Sequence, residues 1–343
     1  MSNNTASNTQ ESARNAIEIN LCNSWEFRHM RITWYARFML MYVKGDLDIF
    51  DKDVVSSEDS IHNTLEQYNN FAKSNELCRE LIVNDNEDNE YINLQDFKQT
   101  RGKKREEIER HGIRINRTAS DEFNINLKEY VRGFLRSIAR KSDAFRVSYA
   151  LLKVALCGER LSRIGANKHV ILDLRVDVPE LYSEVFNDIH RYFRKFNGWR
   201  GEGAKGGSKP TPVEYSLLIY AASVIASKIR SSEPAILYYI TENGVASYEL
   251  NNLISDLKRL RIYTYYKMLI DKYNPDEQGS DVLLGFINSL TYAIMVYNRI
   301  RDLGPLYETL RMLSSEELVN ELEKREISVL EFLRNLSKAA FYA

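Results

Sequence analysis

Lys128, Arg132, Arg136 and Arg140 stand four residues apart, the spacing that stacks side chains on one face of an α-helix. The other side of the same stretch carries Leu127, Tyr130, Val131, Phe134, Leu135 and Ile138. The pattern predicts a helix over 126–141 with one face to bury and one cationic face. Like charges at this spacing repel, and a polyanion lying along the row turns that cost into a gain. A second helix is predicted over 144–164, after a break near Ser142–Asp143. It repeats the theme with Arg146, Lys153 and Arg160, seven apart, and Arg163 beyond. The reading set against this one is a solvated helix face in a charged protein.

The net charge of −1 conceals an asymmetry. Residues 101–209 hold 24 Lys and Arg against 14 Asp and Glu, which leaves the rest of the chain acidic. That distribution fits one basic channel, with other faces free for protein partners, and does not fit a protein that coats nucleic acid with its whole surface. With 343 residues the chain is long enough for one large or two ordinary domains. Cys22, Cys78 and Cys157 are scattered and form no C-x-x-C, so neither a zinc framework nor a disulfide scaffold is expected, and each cysteine reads as a small buried hydrophobe in a reducing compartment. Residues 1–16 are polar and read as a disordered lead-in without a signal peptide. The apolar windows Ile32–Val43 and Leu283–Val296 are too short or too interrupted for a span. A cytoplasmic protein without membrane contact is expected.

Along the chain, Ile17–Cys22 alternates as a strand, and Met30–Val43 reads equally as strand or buried helix. Ser57 can cap a helix running over Ile61 to Leu81. Asn84–Glu90 is an acidic loop, and Thr100–Arg110 a basic one. His169–Val178 is the clearest strand, with Val170, Leu172, Leu174, Val176 and Val178 on one side. Pro179 suits the first position of a helix that buries Leu181, Val185, Phe186, Ile189 and Phe193 and ends before Gly198. Thr211, Pro212 and Glu214 form a helix start. Helices are then predicted over Pro212–Ile229, Pro234–Glu242, Ser247–Tyr273, Ser280–Arg301, Ser315–Arg325 and Ile327–Tyr342. The expected architecture is α+β and predominantly α-helical: a mixed α/β region over 17–209, a few strands included, joined to a helical-bundle domain over 210–343.

Between the two lies the glycine-rich stretch Asn197–Pro212. Its Gly201-x-Gly203-x-x-Gly206 lacks the preceding strand and the promptly following helix of a dinucleotide site, and the Walker order is absent. Glycines let backbone N–H groups approach phosphates, and Arg200, Lys205 and Lys209 add charge. Trp199 offers a plane for an unpaired base. The helix before the loop supplies His190, Arg191, Arg194 and Lys195, interleaved with Tyr192 and Phe196, a composition suited to single-stranded RNA or DNA. A mobile solvated loop is the alternative. Pro234–Arg261 also matches a helix-turn-helix loosely, with the turn at Gly244. The five histidines show no metal or catalytic spacing, and no G-x-S-x-G or Cys/His nucleophile pair is present. Asp173 and Asp177 share one side of the strand with Arg175 between them, where they read as ion-paired surface groups or as two carboxylates of a metal-dependent nuclease. No cofactor is expected.

From His169 to Tyr220 the order of a strand (HVILDLRVDV), a helix (VFNDIHRYFRKF), a glycine- and lysine-rich loop (GWRGEGAKGGSKP) and an apolar segment resembles the RNA-binding backbone subunit of archaeal CRISPR interference complexes of the Cascade type. The long helical C-terminal half is more similar to the large or accessory subunits of those complexes. The resemblance implies a guide-RNA- or target-DNA-binding subunit of an antiviral effector, with other subunits as partners and no catalysis of its own. The residues expected to contact nucleic acid are Lys128, Arg132, Arg136, Arg140, Arg146, Lys153, Arg160, Arg191, Arg194, Lys195, Trp199, Arg200, Lys205 and Lys209. An adaptor docking its basic row on an acidic protein and a nuclease are the other two readings.

Overall fold

A computed structural model describes residues 17–24, 31–44, 58–93, 106, 109–113, 145–165, 168–174, 176, 178–197, 214–229, 234–241 and 244–340. The fold is α+β and predominantly α-helical. A small three-stranded sheet is ordered β1-β3-β2 (β1 Ile17–Ile19, β2 Tyr91–Asn93, β3 Phe145–Ser148), with β1 parallel and β2 antiparallel to β3. The predicted second helix therefore begins as a strand, and only from Tyr149 does the chain turn helical, as α3 (Tyr149–Ser162). The predicted 126–141 helix lies outside the described residues.

The acidic loop explains where α3 starts. Ser148 caps it, its Oγ accepting from the Leu151 N–H at 3.2 Å and donating to Asp88 at 3.0 Å. The Tyr149 and Ala150 N–H groups donate to the Glu90 and Glu87 carbonyls. Loop acids thus gather at the positive end of the α3 dipole, and the first orphan N–H groups find partners.

Met30–Val43, ambiguous in sequence, is helix α1 (Arg31–Lys44), packed across α3. A Cβ at Gly158 would lie 2.1 Å from the Tyr35 carbonyl oxygen, so this crossing requires glycine. Helix α2 (Glu58–Ser74) stops before Leu77 and Leu81; a turn and a short 3₁₀ segment (Arg79–Leu81) follow. Cys78 and Cys157, both fully buried, form a disulfide with Cα atoms 5.2 Å apart. The expectation of free cysteines fails because thiols 79 positions apart in sequence meet through the packing of α3, a meeting that spacing alone does not reveal.

The second sheet is antiparallel throughout, ordered β4-β5-β6-β7 (β4 Arg163–Gly165, β5 Lys168–Leu174, β6 Ala235–Thr241, β7 Gly244–Glu249). Strand β5 is buried on both faces as far as Leu172, not on one. His169 packs on Tyr35 of α1 from one side, and Tyr182 of α4 (Pro179–Asn197) donates to the Leu172 carbonyl from the other. Strands β6 and β7 replace the predicted helix over Pro234–Glu242 and the start of the one over Ser247–Tyr273, and the helix-turn-helix match falls with them. Ile236, Tyr238, Tyr239, Ile240 and Thr241 favour a strand, and Asn243-Gly244 is a hairpin signal. This sheet pairs β5 with β6 across the expected seam at 209/210, so the C-terminal part is not all helical.

Helix α5 (Glu214–Lys228) is buried all round over Ser216–Ala226, as an apolar cylinder must be. Around it stand α4, α6 (Asn251–Leu260), α7 (Tyr263–Lys272) and α8 (Ser280–Ile300). Helices α9 (Gly304–Arg311), α10 (Glu316–Lys324) and α11 (Val329–Ala340) close the bundle. Among the described residues α8 alone is long and apolar enough to cross a membrane, and over half of its apolar window is buried inside the protein.

Candidate nucleic-acid interface

The face of α3 that carries Lys153 and Arg160 points into the protein. Tyr149, Lys153, Cys157 and Arg160 fall at helical spacing and clamp the chain segment from Leu77 to Glu87 and His111 beside it. The Tyr149 ring stacks on His111 at 3.6 Å. The Lys153 ammonium, 2% exposed, donates to both Glu87 oxygens at 2.7 and 2.6 Å and to the Ile82 carbonyl at 2.7 Å. Cys157 is bonded to Cys78, and Arg160 donates to the Leu77 carbonyl at 2.5 Å. Burial acts to raise the Glu87 carboxyl, but hydrogen bonds from Lys153, the Asn84 N–H and His111 outweigh it and hold it below its ordinary value. Lys153 is therefore corrected from a phosphate ligand to a buried structural cation, and Arg160 to a group that closes a turn. Arg146 sits on β3, paired with Glu18 at 2.7 Å and placed over the Tyr91 ring.

The described cations that do come together lie where α3 ends, β4 begins and α4 passes over both. Arg163 bonds the fully buried Glu159 at 2.7 Å, and the His169 Nε2 lies 3.4 Å from the same carboxylate. On α4 the His190 Nε2–H donates to the Arg163 carbonyl at 2.9 Å. Burial lowers the His190 imidazole, the bond to Arg163 works against it, and the Arg194 charge adds to the lowering. Burial and then the Arg163 charge hold His169 down at about 4, with Arg31 and His190 contributing. Both imidazoles are neutral at pH 7, and the Arg163 charge is opposed by the Glu159 carboxylate.

Three predicted ligands lie on the last two turns of α4, and they differ. Arg191 is exposed but paired with Asp188 at 2.6 Å. Lys195 turns inward: its ammonium donates to the Tyr273 carbonyl at 3.0 Å and lies over the Tyr192 and Phe196 rings. Burial lowers its pKa, and Asp271 and Glu277 oppose that. It anchors α4 to the end of α7 and does not face solvent as predicted. Arg194 is exposed and makes no ion pair among the described residues. Helices α4 and α5 are antiparallel: Tyr192 meets Tyr220 with ring centres 4.5 Å apart, and Lys228 bonds Glu184 and Asp188. Extending that register puts Asn197 level with Tyr215, so the described residues on either side of 198–213 stand at the end of the pair where Arg194 is. Lys128, Arg132, Arg136, Arg140, Trp199, Arg200, Lys205 and Lys209 lie outside the described residues.

Asp173 is half-buried and paired with Arg37 at 3.4 Å, and Asp177 lies outside the described residues. Among the described residues no group of three His, Cys, Asp or Glu side chains could hold a metal. Sequence reasoning missed one constellation: Ser162 Oγ stands 3.4 Å from His169 Nδ1, with Glu159 beyond the ring. All three are buried, and the Ser162 hydroxyl donates to the Glu159 carbonyl. The spacing Glu159, Ser162, His169 across a helix end and a hairpin carries no recognisable signal. No protein-family model, no curated protein and no solved structure matches the chain.

Proposed function

We propose that this protein binds single-stranded nucleic acid as a non-catalytic subunit of a larger assembly, an antiviral effector of the CRISPR interference type, in the cytoplasm. The observation that carries the reading is the end of the α4–α5 pair. There an exposed guanidinium, Arg194, makes no ion pair among the described residues and acts on His190, whose ring N–H bonds the Arg163 carbonyl; in sequence it precedes the stretch holding Trp199, Arg200, Lys205 and Lys209. Phosphates gain from such a charge, and an unpaired base gains from a nearby aromatic plane. A buried disulfide is compatible with a cytoplasmic site in hyperthermophiles, whose intracellular proteins keep such bonds.

The test is fluorescence anisotropy with labelled single-stranded RNA, single-stranded DNA and duplex DNA across a salt series. A single strand should bind, with affinity falling steeply as salt rises. Arg194→Glu with Arg163→Gln should weaken it and flatten the salt slope by about 0.7 for each phosphate no longer neutralised. Arg132→Glu with Arg136→Glu tests the predicted row in the same assay. No binding of any oligonucleotide, or affinity unchanged in both variants, refutes the proposal.

A further inference from the structure

The last helices of the chain leave an apolar surface uncovered. Helix α10 ends at Lys324, the chain reverses through Glu326 in the left-handed region (φ 55°), and α11 begins at Val329. Phe332 points into the bundle, where its ring stacks on Tyr265 at 3.8 Å. That packing fixes the rotation of α11. Leu330 and Leu333, one turn apart, are left outside, 80% and 42% exposed. With Ile327 and Val329 they line an open groove of about 510 Å³. Its charged members are carboxylates, Glu323 and Glu326, and among the described residues no Lys or Arg lines it. Glu323 makes no ion pair among the described residues, and Glu326, 89% exposed, is paired with Lys272 at the surface.

We propose that this groove docks an amphipathic helix of a partner protein, with apolar residues at i, i+3 and i+4 and Lys or Arg beside them. A leucine this exposed is a protruding knob, not the wall of an enclosing pocket, which favours a facing helix over a small molecule. Glu323, unpaired among the described residues, and Glu326, whose surface pair with Lys272 a partner's cation can share, favour a basic partner. The groove is lined by none of the predicted nucleic-acid ligands that lie among the described residues, and its test does not depend on the function proposed above.

The probe is a fluorescein-labelled Leu/Lys helical peptide of about four turns, with a Leu/Glu peptide of the same pattern as control. Both are titrated with the full chain by anisotropy. The Leu/Lys peptide should bind and the Leu/Glu peptide should not. Leu330→Ser with Leu333→Ser should weaken binding about tenfold or more, as loss of buried apolar anchors does. Glu323→Gln with Glu326→Gln should weaken it less and remove most of its salt dependence. These positions are exposed, and circular dichroism checks that the variants fold. The proposal is overturned if the Leu/Lys peptide fails to bind, if both peptides bind alike, or if the Leu330→Ser/Leu333→Ser variant binds as well as the parent. A parent chain that sediments as a dimer, with the leucine variant a monomer, overturns it in favour of a second copy.

Discussion

Replacing Lys153 with methionine separates a buried structural cation from a phosphate ligand. The change keeps the apolar stem and removes the ammonium with its bonds to both Glu87 oxygens and the Ile82 carbonyl. Glu87, with only 4% of its side chain exposed, then keeps the His111 ring N–H at 2.9 Å and the Asn84 N–H at 2.9 Å but loses its only buried counter-charge among the described residues. Removing one partner of a buried pair costs about 3–5 kcal/mol, because the other charge stays in a poor solvent. Adding Glu87→Gln to Lys153→Met removes that stranded charge and should recover a good part of the loss. The pH dependence has a definite sign. In the parent the Glu87 carboxyl sits below its ordinary value of 4.5, so its contribution is complete above that value and is lost as pH falls through the lower folded one. Without Lys153 burial dominates, the carboxyl rises above its ordinary value, and the variant's deficit is largest at neutral pH and shrinks on acidification toward pH 4.5. Urea denaturation at neutral and acid pH measures this, with oligonucleotide affinity measured beside it. A variant as stable as the parent that has lost affinity for a single strand would refute the reasoning and restore Lys153 to the interface.

Three further outcomes follow from the packing. Gly158→Ala forces a methyl to within 2.1 Å of the Tyr35 carbonyl oxygen, so α1 must move off α3; a loss of about 1–3 kcal/mol is expected in thermal melts, and an unchanged melt would mean the crossing has slack. Cys157→Ser, or full reduction of the parent, should cost about 2–4 kcal/mol, and non-reducing mass analysis should show two thiols fewer than the three cysteines provide. His169, held at about 4 against an ordinary 6.5, takes up its proton only in the unfolded chain between those values, so stability falls by roughly 3 kcal/mol as pH drops from 6.5 to 4. An NMR titration in which the His169 ring protonates near its ordinary value would contradict its burial against Arg163.

Much of the skeleton was legible because burial imposes a period. Helices α4, α5, α8, α10 and α11 and strand β5 stand where the spacing of apolar residues predicts them, and Pro179 opens α4. The hairpin β6–β7 was misread because its apolar run fits a buried helix as well as a strand, while Asn243-Gly244 and the β-branched and aromatic residues around it favoured the strand. The disulfide was illegible because no local pattern records a meeting across 79 positions.

The misplacement of Lys153 is the more instructive failure. A seven-residue spacing of cations fixes which helix face they share, but it does not say what opposes that face. Here the opposing surface is the chain's own loop. Asn84–Glu90 brings Glu87 to one cation, and the carbonyls of Ile82 and Leu77 meet Lys153 and Arg160. An acidic loop and a cationic helix face in one sequence are thus first candidates for each other, and only a cation left unopposed, as Arg194 is among the described residues, argues for a ligand from outside. The same test applies to the row from Lys128 to Arg140: if it binds nucleic acid, reversal of Arg132 and Arg136 should abolish affinity and leave the melting temperature unchanged, whereas a row clamped like α3 would lose stability with it.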